Sequence, residues 1–160
     1  MTILKNFIKA TLALSFMSLF AAAGYAQQES VWTVDFQKAF QTEKMMHMMD
    51  MSGKGMVSKA DYDMYMGKVF DMMDKKHKGM LDKDDYTHME SGSTDLWTTD
   101  FQRTFRTVAM MHMMDKSGKG MVTKAEFMAH MDKIFDMLDK NHDGMLEKSE
   151  FMYAGAFGVK

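Results

Sequence analysis

The chain has 160 residues, 24 of them Met, with no Cys and no Pro, and Lys+Arg 20 against Asp+Glu 22 leaves a net charge of −2. Without a basic excess, phosphate-backbone binding has no electrostatic drive, which argues against nucleic acid as a partner. Without Cys there is no disulfide framework, thiolate metal site or thiol nucleophile, and without Pro the helices escape its breaks.

At the N-terminus, Lys5 and Lys9 precede an apolar or small-residue run from Ala10 to Ala23, and Gly24-Tyr25-Ala26 offers small residues at −3 and −1. That pattern predicts a signal peptide over 1–26, since the run falls short of the roughly 20 apolar residues a membrane span needs. Cleavage removes two lysines and takes the net charge from −2 to −4. No later segment is apolar and long enough to cross a bilayer, so the expected location is exported, periplasmic or secreted.

The rest of the chain is one unit written twice. Trp32-Thr33-x-Asp35-Phe36-Gln37 returns as Trp97-Thr98-x-Asp100-Phe101-Gln102, an offset of 65 that also maps Met45-Met46-His47-Met48-Met49-Asp50 onto Met110-Met111-His112-Met113-Met114-Asp115. The units span 31–90 and 97–155, joined by a polar, glycine-containing linker at 91–96. Apolar periodicity predicts helices near 34–50, 59–73, 83–90, 99–114, 124–138 and 148–155, with Thr33 and Thr98 as N-caps.

Between the helices lie four polar loops of regular construction. Gly55, Gly79, Gly120 and Gly144 each stand five residues after an Asp (Asp50, Asp74, Asp115, Asp139), six before an acid (Asp61, Asp85, Glu126, Glu150), and two before Val57, Leu81, Val122 or Leu146. This helix–loop–helix pattern, repeated four times over residues 32–153, resembles the EF-hand superfamily, and the four-hand, two-lobe arrangement is similar to that of calmodulin. The resemblance implies an all-α fold of two lobes, each a pair of EF-hands. It also implies short pairing of Val57 with Leu81 and of Val122 with Leu146. A twelve-residue loop of this kind wraps a hard cation with oxygens from positions 1, 3, 5, 7, 9 and 12, bending at Gly in position 6.

The family's ligand positions fall most completely on loop 4: Asp139, Asn141, Asp143, the Met145 carbonyl, Glu147 and Glu150. Loop 3 offers a weaker set, Asp115, Ser117, Met121, Thr123 and Glu126, and loop 1 a poorer one, Asp50, Ser52, Met56, Ser58 and Asp61. Position 5 is Lys54, Lys78 and Lys119 in loops 1 to 3, and loop 2 adds Lys76 at position 3. An ammonium has no lone pair to donate and repels a dication, by several kcal/mol at about 4 Å and intermediate dielectric. Loops 1 and 2 also end in Asp61 and Asp85, which reach a metal less easily than Glu. They read as structural hands whose lysines partly neutralise the loop acids, with loop 2 empty. The expected function is calcium binding, mainly through loop 4, as sensor, buffer or calcium-stabilised binding module.

The methionines carry a second signal. Met45, Met46, Met49, Met110, Met111 and Met114 fit core positions, since Met is an adaptable core filler. Met56, Met80, Met121 and Met145, all at loop position 7, are expected to be exposed. Exposed Met surfaces suit an amphipathic helix of a protein partner. Alternatively, thioether and imidazole groups suit Cu(I) or Ag(I). The candidate clusters are Met45/His47/Met49, Met110/His112/Met114 and Met128-x-His130-Met131. No nucleophile–base pair or phosphate-binding glycine loop occurs, so no enzymatic activity is expected.

Overall fold

A computed structural model describes residues 30–87 and 96–152. The signal peptide expected over 1–26, nearly all of the linker expected at 91–96 and the last residues of the helices expected at 83–90 and 148–155 lie outside them. In chain order the elements are α1 (Val34–Phe40), α2 (Glu43–Met49), β1 (Val57–Ser58), α3 (Lys59–Met73), β2 (Met80–Leu81) and α4 (Lys83–Thr87). The second unit repeats them as α5 (Thr99–Phe105), α6 (Val108–Met114), β3 (Val122–Thr123), α7 (Lys124–Leu138), β4 (Met145–Leu146) and α8 (Lys148–Phe151). No helix among these residues is long and apolar enough to cross a membrane.

Thr33 and Thr98 cap α1 and α5, their hydroxyls accepting the N–H of Phe36 and Phe101 at 3.1 Å. The helices expected over 34–50 and 99–114 are each broken in two. Thr42 and Thr107 are extended at the breaks, and their hydroxyls accept the N–H of Met45 and Met110 at 3.2 Å. A threonine hydroxyl competes with the helical backbone and starts a new helix. The residue before each Thr is buried and reaches a distant carbonyl: Gln41 Nε2 donates to Phe151 O at 2.9 Å, and Arg106 Nη2 donates to Asp85 O.

The loop pairing departs from the expectation of consecutive hands. Val57 lies opposite Leu146 and Leu81 opposite Val122, both antiparallel. Each loop pair therefore takes one hand from each repeat, and the expected lobes of consecutive hands are replaced by cross-repeat pairs. The reason is the length of α3. It is both the exit helix of hand 1 and the entry helix of hand 2, and its 15 residues hold β1 and β2 at opposite ends. That separation is about 22 Å, whereas paired strands sit 4.7–4.9 Å apart. Antiparallel α7 brings β4 and β3 to those two ends, and Lys59 and Lys124 N–H extend the contacts to Gly144 O and Gly79 O at 2.9 and 3.2 Å.

The core follows the same two-fold logic. Phe36 and Phe40 on α1 meet Phe101 and Phe105 on α5 with ring centroids 5.2–5.9 Å apart. Where α3 crosses α7, Tyr62 packs on Phe135 at 5.2 Å and Phe70 on Phe127 at 5.3 Å, equivalent pairs under the repeat. Tyr62 OH also donates to Met131 O at 3.0 Å. Offset and edge-on ring pairs of this kind add to their area burial. One cluster of buried residues draws on both repeats.

Candidate metal centre

All four loops turn on two left-handed residues, at positions 4 and 6. These are Gly53 and Gly55, His77 and Gly79, Gly118 and Gly120, and His142 and Gly144, with φ from +50° to +78°. That backbone turns successive N–H groups inward, onto the position-1 carboxylate. Gly55, Gly79, Gly120 and Gly144 donate to its Oδ2 at 2.6, 2.7, 2.7 and 2.9 Å, and the residues before them to Oδ1 at 3.2, 2.9, 3.3 and 3.2 Å. Desolvation pushes the carboxyls of Asp50 and Asp115 upward. The Gly55 and Gly120 N–H groups, the Ser52 and Ser117 hydroxyls and further loop N–H groups outweigh it and hold both below the ordinary range.

Position 12 separates the loops. In loop 4, Glu150 Oε1 crosses the loop to accept from Lys140 and Asn141 N–H at 3.1 and 3.3 Å, while Oε2 accepts from Glu147 N–H at 3.1 Å. In loop 3, Glu126 Oε2 accepts from the Thr123 N–H and hydroxyl at 2.9 and 2.8 Å. These bonds, with a smaller pull from Ser117 N–H, lower its pKa. The shorter Asp61 of loop 1 bonds its neighbour, taking the Ser58 hydroxyl at 2.8 Å.

Loop 4 collects its remaining donors around Asp143. Its N–H is shared by Asn141 Oδ1 and Asp139 Oδ1 at 3.0 and 3.2 Å, and Asn141 Nδ2 donates to Asp143 Oδ2 at 3.0 Å. Among the described residues, no three Asp, Glu or His side chains gather tightly enough to enclose an ion by themselves. Loop 4 adds an amide oxygen and a main-chain carbonyl to its four carboxylates and has no lysine at a ligand position. That donor set fits a hard dication.

Loop 2 holds a cation of its own. Lys78 turns inward, its Nζ pairing with Asp82 at position 9 and, at 3.0 Å, with Asp85 at position 12. The bond from Lys78 chiefly lowers the Asp82 carboxyl to about 2 and raises the ammonium well above its ordinary value. Lys54 and Lys119 at the same position are exposed and make no ion pair among the described residues. The sequence reading has lysines neutralising the acids of both loop 1 and loop 2; of Lys54 and Lys78 the structure turns only Lys78 inward, and the distinguishing signal is the acid at position 9, present in loop 2 and absent from loops 1 and 3.

The soft-metal clusters are not assembled. Met45, Met49, Met110 and Met114 are fully buried, and the sulfurs of Met45 and Met114 face the Thr98 and Tyr86 hydroxyls at 3.9 and 3.8 Å. His47 and His112, midway along the same turns, are exposed on the other face. Likewise Met131 is fully buried, and His130 is turned to Val31 O at 2.6 Å. At loop position 7, only Met121 is exposed; Met56, Met80 and Met145 are half-buried beside the paired strands.

No curated protein matches the chain. A family model described as EF hand matches residues 131–152, which cover the end of α7, loop 4 and α8. Over that stretch the chain is similar to an EF hand.

Proposed function

We propose that the protein is an exported calcium-binding protein whose principal site is loop 4. The observation that carries this reading is Glu150, which reaches from α8 across to the first residues of the loop and so draws the position-12 carboxylate over the donors of Asp139, Asn141 and Asp143. A calcium ion would be held by these groups with the Met145 carbonyl and Glu147, and would neutralise carboxylates that no cation among the described residues balances. Loop 3, with Glu126 and an outward Lys119, is the second and weaker site. Loop 2 is balanced by Lys78 and loop 1 is a structural partner.

Cross-repeat pairing defines what binding accomplishes. Loop 4 is joined to loop 1 by β1–β4, Lys148 pairs with Glu43 at 2.7 Å, and Gln41 bonds the end of α8. Calcium in loop 4 therefore fastens the first hand to the last. Affinity on the order of 10⁻⁴–10⁻³ M suits calcium-rich surroundings outside the cytoplasm. Isothermal titration should give one dominant calcium site that disappears in Glu150→Gln, with the fold kept in circular dichroism. Four equal sites, or full binding by that variant, would overturn the reading. Export rests on the 1–26 signal pattern and is tested by the mass of the protein recovered from outside the cytoplasm.

A further inference from the structure

The break between α1 and α2 grips the exit helix of the last hand at three points. The Phe40 ring stands edge-on to Phe151, with centroids 5.2 Å apart. Gln41 Nε2 donates to Phe151 O at 2.9 Å, and Glu43 pairs with Lys148 at 2.7 Å. Gln41 is itself fixed, because it is buried and caps α1 through its N–H to Gln37 O. Its neighbour Thr42 then starts α2. What these residues hold is slight: α8 has four residues, Lys148–Phe151, and Met152 beyond them is extended. A single helical turn is marginal alone and leaves its last carbonyls without helical partners. The Gln41 amide supplies a donor to one of them, at the residue that follows Glu150. The grip recurs under the repeat, where Arg106 caps α5 and donates to Asp85 O in α4. There it meets a hand already closed by Lys78, whereas Gln41 meets the hand whose position-12 carboxylate has to close on an ion.

We propose, on the reading of loop 4 as the calcium site, that Gln41 is a positioning residue for that site, so that the α1–α2 break of the first repeat sets the affinity of the last hand. Glu150 and Phe151 belong to one turn, and a bond at the Phe151 carbonyl fixes where the Glu150 carboxylate stands before an ion arrives. Preorganised ligands bind more tightly because less ordering remains to be done. The dependence runs both ways: an ion that holds Glu150 also holds Phe151, and through Gln41 it steadies the start of α2. Met45 and Met46 report on that place, since their N–H groups bond the Thr42 hydroxyl and carbonyl at 3.2 and 3.0 Å. Gln41 and Phe151 are 110 residues apart in sequence, so the control passes between the repeats.

The test is isothermal titration of the full chain with calcium, together with hydrogen exchange. Gln41→Met keeps the length and apolar contacts of the side chain and removes the donor; Gln41→Leu is the second variant. Each should raise the dissociation constant of the dominant site about fivefold, the loss of one hydrogen bond, with the fold kept in circular dichroism. The weaker loop 3 site, at the far end of the molecule, should keep its affinity. Glu43→Gln should change the dominant site less than about twofold, because both partners in that pair are largely exposed. In the parent protein calcium should slow exchange at the Met45 and Met46 N–H groups, and in Gln41→Met that slowing should be lost. Unchanged affinity in both Gln41 variants, an equal loss at loop 3, or exchange at Met45 and Met46 indifferent to calcium would each overturn the proposal and leave the calcium site standing. A parent protein with no calcium site overturns both.

Discussion

Cross-repeat pairing of the hands can be tested covalently, because the chain contains no Cys of its own. Ser58 and Met145 are Cα partners in the β1–β4 pair. Directly opposed antiparallel residues lie about 4.5–5.5 Å apart at Cα, inside the range a disulfide accepts. The double variant Ser58→Cys, Met145→Cys should therefore oxidise to an intramolecular bridge. Closing a loop of roughly 88 residues restricts the unfolded chain by about 4.6 kcal/mol at 25 °C. Against this, Ser58 caps α3, accepting Asp61 N–H at 3.1 Å, and losing the cap costs about 1 kcal/mol. The difference, about 3–4 kcal/mol, corresponds to a rise of about 10 °C in the unfolding midpoint for a chain of this size. Mass spectrometry and calorimetry with and without reductant measure both quantities. The control is Val57→Cys with Leu81→Cys, which places thiols at opposite ends of α3 and should remain reduced or form only dimers. If the control closes within one chain and the Ser58/Met145 pair does not, consecutive hands pair after all.

Thr42→Ala and Thr107→Ala should each cost about 1 kcal/mol in urea unfolding, since each removes the hydroxyl that starts a helix. Lys76→Asn together with Lys78→Asn should add a calcium site to loop 2, read by titration, because the pair of changes removes both ammonium groups from ligand positions and supplies oxygens in their place. In the parent protein Asp82 has its carboxyl lowered from 3.8 to about 2, so its contribution to stability is whole above about pH 4 and is lost as pH falls toward 2; that segment of the acid-unfolding curve should flatten in Lys78→Asn. His130 has a folded-state pKa below its ordinary 6.5, so it contributes stability above that value that is lost as pH falls through the lower one; His130→Tyr should reduce the difference in unfolding midpoint between pH 7.5 and 5.5.

Much of the fold was legible in the residues. Four glycines at fixed distances from flanking acids located every loop, and Thr33 and Thr98 located two helix starts. The loop partners were misassigned although the spacing held the answer. Loop 1 ends at Asp61 and loop 2 begins at Asp74, leaving room for a single helix shared by both hands. Two consecutive loops can pair only if the chain folds back between them, and an unbroken helix forbids that. Antiparallel apposition of the two copies then satisfies both ends at once. The breaks at Thr42 and Thr107 were masked by the apolar period that continues through them, because α1 and α2, like α5 and α6, bury faces in the same core.

The metal loops show how a single residue type changes meaning with its neighbours. Lysine at position 5 enters loop 2, where Asp82 stands at position 9 and Asp85 at position 12, so the ammonium meets two carboxylates in place of water. In loops 1 and 3 position 9 is Ser58 or Thr123, whose hydroxyl is already given to the position-12 acid at 2.8 Å. One carboxylate engaged by a hydroxyl attracts a lysine too weakly to offset the cost of ordering a long side chain, and Lys54 and Lys119 stay in solvent. Loop 4 replaces the lysine with Asp143 while keeping an acid, Glu147, at position 9. Among the described residues its carboxylates then have only backbone and amide N–H groups for partners, a surplus of negative charge that an external dication is suited to balance.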